Sequence, residues 1–165
     1  MKRVVFLIII IFNLTNLIYA YSANDAEGFW LMPEKPRGRM EIVKTIVINN
    51  KLYAYAVKLH DDVKSNLDIH NPNKDLRDKE LIGLIFIYDM VFENGEWQTG
   101  RIYHTDQGSI FYAKISLSED KNTLFLKASL DKSGVVGATV KWTRVQNKYN
   151  DVPRNKLRTI EGKTL

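Results

Sequence analysis

Two imidazoles and three carboxylates, His60, Asp61, Asp62, Asp68 and His70, fall within eleven residues, and such a set can ligate a divalent cation from a loop. No two of them have the i, i+4 spacing that sets a pair of ligands on one helix face, so a solvated acidic loop is the simpler reading and no metal is expected. His104 and Asp106 flank a turn further on, where an imidazole titrating near neutral pH can serve as general acid or base. The loop carboxylates and His104 are thus what a hydrolase or transferase would use. The usual nucleophile signatures are absent: there is no cysteine, no Gly-x-Ser-x-Gly turn and no Gly-x-Gly-x-x-Gly phosphate loop. Catalysis is therefore the competing reading, and no catalytic residue or cofactor is assigned. A third set, Asp68, Asn71 and Arg77, can recognise an anionic or polyhydroxyl ligand, with Arg77 supplying a planar fork of donors. The same residues can equally pin their own loop, Asn71 capping a short helix and Asp68 pairing with Arg77. Tyr53, Tyr55, Tyr88, Tyr103 and Tyr112 fit a lined pocket, but tyrosine is also an ordinary strand former. Cavity and packed core both stay open.

The elements that must hold these groups are strands. Glu27–Met32 is apolar and aromatic and stops at Pro33; Met40 to Ile48 alternates, and Asn49-Asn50 turns it into Lys51–Leu59. Within that last strand Tyr53, Tyr55, Val57 and Leu59 share one face, taken here as the interior. The connection after it, centred on Asp68 to Gly83, is about twenty residues long, more than a compact domain needs unless the loop has work to do. Asn71 before Pro72 reads as a helix N-cap, predicting a short helix over 72–79 with Leu76 facing inward. Strand patterns then follow over 80–92, 96–104, 109–118, 123–130 and 137–145, separated by short polar turns. About eight strands with no long amphipathic helix predict an all-β, antiparallel up-and-down barrel, whose closure removes its edges.

From Gly28 to about Val145 the chain resembles the family of small exported bacterial proteins known as domain of unknown function 2147. The resemblance rests on Gly28-Phe-Trp30, Asp68-Ile-His-Asn71-Pro72, Leu76-Arg77, Leu81-Ile-Gly83-Leu84, Trp97-Gln-Thr-Gly100-Arg-Ile102-Tyr103, Gly108, Tyr112 and Trp142-Thr-Arg144. It departs at Lys79-Glu80-Leu81, where a basic residue and proline are usual, and at His104-Thr105, where Asp-Pro is usual. The resemblance implies a lipocalin-like barrel in which a Gly-x-Trp on the first strand and an arginine on the last pack to close one end. Here those are Trp30 and Arg144. The family carries no agreed activity.

Met1-Lys2-Arg3 followed by apolar residues 4–12 has the form of a secretory signal peptide, expected to span 1–23. The barrel domain is then 24–145 and a basic tail 146–165. Residues 24–143 carry 16 Lys and Arg against 17 Asp and Glu, whereas 144–165 carry 6 against 2. The basic balance thus belongs to the tail, read as a solvated terminus touching at most an acidic membrane or envelope polymer. No basic face with interleaved aromatics runs through the body, so nucleic acid is not an expected partner. The expected protein is exported, periplasmic or secreted. It binds a small apolar or amphipathic ligand or an envelope component, or else is a solid-core structural barrel.

Overall fold

The computed structural model describes residues 21–34, 38–146 and 149–164; the expected signal segment lies almost wholly outside them. Asn49 and Asn50, with φ of 49° and 60°, adopt the left-handed conformation that two-residue hairpins need to match strand twist, and they join β2 (Met40–Ile48) to β3 (Lys51–Leu59). Asn94-Gly95, with φ of 53° and 81°, does the same between β4 (Ile85–Glu93) and β5 (Glu96–His104). With β1 (Gly28–Leu31), β6 (Ser109–Leu117), β7 (Thr123–Ser129) and β8 (Gly137–Val145), the strands pair in chain order, all antiparallel, and β1 pairs with β8 to close the barrel.

The core is built from large residues set against small ones. Trp30, Trp97 and Trp142 are fully buried, and Ala54, Ala56 and Ala113 make room for them in the same cluster. Gly100 belongs to this arrangement, because a methyl group there would meet the Met90 sulfur and lie 2.7 Å from the Tyr88 carbonyl oxygen. Gly100→Ala is expected to destabilise the fold by about 1–3 kcal/mol through overpacking. Thermal unfolding checks this, and an unchanged midpoint would show that the wall can yield.

One end is closed by Trp30 and Arg144, which face each other in the β1–β8 register. The guanidinium lies 4.2 Å from the centre of the Trp30 ring. Its Nε donates to Lys121 O, and its two terminal nitrogens to Glu27 O and Asp25 O, each at 2.7 Å. Burial pushes the Arg144 pKa down, and the nearby Asp25 opposes this. The Trp30 indole donates to Thr45 Oγ1 at 2.8 Å and to Ala26 O at 3.2 Å. Gly28, at φ 142°, leaves the space that Arg144 occupies: a Cβ there would sit 2.7 Å from its guanidinium.

Three expectations are corrected. The interior face of β3 is Leu52, Ala54 and Ala56, not the tyrosine face. Tyr53 and Tyr55 point outward and join Ile85 and Leu157 in a second cluster on the outside of the wall. What covers them is the C-terminal segment, expected to be solvated. Leu157 and Ile160 are buried, Ile85 N donates to Arg158 O at 2.8 Å, and Arg158 N donates to Gly83 O at 3.0 Å. The segment adds a short parallel bridge to the barrel at Leu84 and Arg158. Residues 80–84, expected as strand, are instead loop over which this strap lies, and β4 starts at Ile85.

Candidate functional site

The end of the barrel away from Arg144 carries residues 32–34 and 38–39, the β5–β6 turn, the β7–β8 turn and the long insertion between β3 and β4. The insertion is tied shut at its base by Leu67 pairing with Glu80, where Asp68 N donates to Lys79 O at 2.8 Å. Its short helix is a single 3-10 turn, Lys74–Leu76, capped by Asn73, whose side chain accepts from Asp75 N at 3.1 Å. Asn71 is therefore not the cap. Its Oδ1 accepts from Asn73 N at 2.8 Å, and its Nδ2 donates to Asp68 Oδ2 at 2.8 Å and Ile160 O at 3.2 Å. Leu76 packs toward Gly162 of the C-terminal segment rather than the barrel interior.

Asp68 is fully buried, and its partners explain how a carboxylate can be held there. Oδ1 accepts from the Tyr103 hydroxyl at 2.8 Å, Oδ2 from Asn71, and Arg158 lies 3.6 Å from Oδ2. Burial first and Asp68 second push the Tyr103 hydroxyl far above its ordinary pKa, so it stays a donor. Burial pulls Arg158 down while Asp68 pulls it up. The expected Asp68–Arg77 pair is corrected: Arg77 Nε donates to Asn71 O at 2.8 Å, and Asp68's cation is Arg158. Of the residues selected from the sequence, Asp68, Asn71, Arg77 and Tyr103 come together. Tyr55 does not join them; its hydroxyl donates to Asp151 at 2.6 Å. Tyr53 lies 3.3 Å from Asp89, Tyr112 lies under Arg101 with 3.8 Å from guanidinium to ring centre, and Tyr88 is half-buried between the two apolar clusters.

Arg39 fastens the insertion to the rim. It donates to Asp106 Oδ1 at 2.5 Å, Leu67 O at 2.7 Å and Thr105 O at 2.7 Å. Nothing in its local sequence marks it. Arg158 was legible only through the apolar residues Leu157 and Ile160 on either side of it in a polar stretch. Among the described residues no three His, Asp or Glu side chains gather as a metal would require. Asp61 is 94% exposed beside Lys58, while Asp68 is taken up by its own contacts.

Beside this polar lock lies a crevice of about 80 Å³ at the barrel mouth, lined by Met32, Met40, Phe86, Ile102 and Tyr103, with His104 and Asp106 on its rim. Phe86 leads inward, its ring 6.1 Å from that of Trp142. The indole nitrogens of Trp97 and Trp142 are buried and have no acceptor among the described residues. Buried donors are rarely left unpaired; Trp142 lies on the Phe86 side of the core and Trp97 near the β4–β5 turn.

An eight-stranded antiparallel barrel closed by Trp30 under Arg144, with a mouth at the opposite end, defines a lipocalin-like protein. The chain belongs to the family described as uncharacterized protein conserved in bacteria, domain of unknown function 2147, whose model matches residues 28–144. It is similar in structure to protein HP1028 from the human pathogen Helicobacter pylori, described as belonging to the lipocalin family. The TM-score is 0.67 at 27% identity, over 74% of this chain and 84% of that one. No curated protein matches.

Proposed function

We propose that this is an exported carrier or sensor barrel that takes a small, mainly apolar molecule bearing a hydrogen-bond acceptor through the mouth between Met40, Phe86 and Ile102. The observation that carries the reading is the unpartnered indole N–H of Trp142, whose ring lies 6.1 Å from that of the crevice residue Phe86. An acceptor atom reaching it displaces no existing partner and satisfies a buried donor, while the rest of the molecule buries apolar surface. The crevice is small, so entry needs Met40, Met90 and Phe86 to change rotamer; unbranched methionine side chains do this at low cost. Residues 1–23 supply the basis for export. A second reading, a solid structural barrel, is favoured by the complete burial of the three tryptophans.

Native mass spectrometry of the protein purified from its own host separates the two. A retained small molecule, released on unfolding, is the expected result. Titration with a fluorescent apolar probe should then quench tryptophan emission, and Ile102→Trp, which fills the crevice, should abolish it. A bare mass together with no probe binding would sink the carrier reading in favour of the solid barrel.

A further inference from the structure

The turn between β7 and β8 holds apolar side chains out in water on a firmly built frame. Leu130 is 69% exposed, Val135 81% and Val136 57%. Exposed valines in a loose loop would mean little, but this loop is cross-braced. The Asp131 carboxylate accepts from the Ser133 hydroxyl, from Val135 N at 3.3 Å and from Val136 N at 2.8 Å. Leu130 N donates to Val136 O at 2.9 Å, Gly134 N to Asp131 O at 3.1 Å, and Ser129 Oγ to Asp131 O at 2.9 Å. These contacts hold the Asp131 carboxyl down at a pKa of about 2. The first residues of β8, Gly137 to Thr139, are exposed as well, so the hairpin projects beyond the wall.

Lysines stand around it. From Lys127 to Lys141 the hairpin carries Lys127, Lys132 and Lys141 against Asp131 alone, and among the described residues none of the three lysines lies in a salt bridge. On its flank a groove of about 440 Å³ is lined by Lys114, Lys127, Lys132, Tyr112 and Phe125; Lys114 there pairs with Glu96 at 2.5 Å. Ile69 and Ile110, 44% and 45% exposed, lie at the same end of the barrel.

We propose that the β7–β8 hairpin docks on an anionic phospholipid bilayer, with Leu130, Val135 and Val136 entering the headgroup–acyl boundary and Lys127 and Lys132 on the phosphates. The shape selects this occupant. A convex tip of three side chains cannot supply the roughly 800 Å² per partner of a stable protein interface, whereas shallow insertion of apolar side chains backed by lysines suffices to bind a charged bilayer. The bracing by Asp131 lowers the ordering cost of presenting the valines. The inference stands apart from the carrier reading, but docking in this way turns the barrel mouth toward the membrane.

The test uses the full chain with Val135→Trp, read against the parent so that the three buried tryptophans and the N-terminal apolar stretch are common to both. Vesicles of phosphatidylglycerol and phosphatidylcholine should shift the added emission to the blue, and brominated acyl chains should quench it; pure phosphatidylcholine should do so far less. Adding Lys127→Glu and Lys132→Glu should weaken the anionic-vesicle response at least about tenfold, each lysine near a charged surface contributing about one such factor at most. Emission that stays that of exposed tryptophan, unquenched on anionic vesicles, overturns the proposal. So does a blue shift that appears without lipid and grows with protein concentration, which would assign the tip to a second copy of the chain.

Discussion

Asp68→Ala is expected to cost about 3–5 kcal/mol, the scale for removing one partner from a buried charged network. The carboxylate is the acceptor on which three groups converge: the Tyr103 hydroxyl at 2.8 Å, Asn71 Nδ2 at 2.8 Å, and Arg158 at 3.6 Å. Without it a phenol, an amide and a guanidinium are left in a site that water does not reach, and each carries its own desolvation cost. The melting temperature should fall by about 10 °C or more. Because Arg158 sits in the C-terminal strap, the strap should also become accessible to protease, cutting first between 151 and 164. Asp68→Asn keeps an acceptor for Tyr103 but presents an amide to two other donors, so it should fall between. Asp61→Ala, at a position 94% exposed, should stay within about 0.5 kcal/mol of the parent. If Asp68→Ala and Asp61→Ala melt alike, the buried lock is not what fastens the insertion and the strap.

Arg144→Lys keeps the charge and is nonetheless expected to destabilise by about 2–3 kcal/mol. Three carbonyls, of Asp25, Glu27 and Lys121, are satisfied by one planar fork whose face rests on Trp30. An ammonium can reach one or two of these oxygens but cannot at once stack as a plane, and the stacking alone is worth about 0.5–2 kcal/mol. Near-ultraviolet circular dichroism from Trp30 should weaken in step with the drop in thermal midpoint. A variant that matches the parent in both would mean that β1–β8 pairing closes this end unaided.

The strands were legible because each face change is written in alternation and three of the turns in asparagine or glycine: Asn49-Asn50, Asn94-Gly95 and Gly108 all sit at positive φ. The pairing of Trp30 with Arg144 was legible through the family resemblance, in the Gly28-Phe-Trp30 and Trp142-Thr-Arg144 motifs. Alternation fixes which residues share a face, not which face is inside. On β3 both faces are covered, one by the barrel core and the other by the strap, so Tyr53 and Tyr55 looked as fit for the interior as Leu52 and the two small alanines do in fact prove. The strap itself was hidden by its charge. Arg154, Lys156, Arg158 and Lys163 read as a solvated terminus, and only a partner 90 residues earlier, Asp68, gives Arg158 a reason to be buried. The same distance hid the true partner of Asp68, for which nearby Arg77 was the obvious local candidate.

The β1–β8 pairing also bears on how quickly this protein can reach its native state. Arg144 meets Glu27 and Asp25 across separations of 117 and 119 residues, and Asn71 meets Ile160 across 89. Contacts so distant in the chain cost loop entropy before they give anything back, and folds dominated by them take milliseconds to seconds. Until β1 arrives, β8 has an open edge beside a hairpin with bare valines. During that interval the chain is most exposed to sticking to its neighbours, so refolding yield should depend on protein concentration more steeply than native stability does.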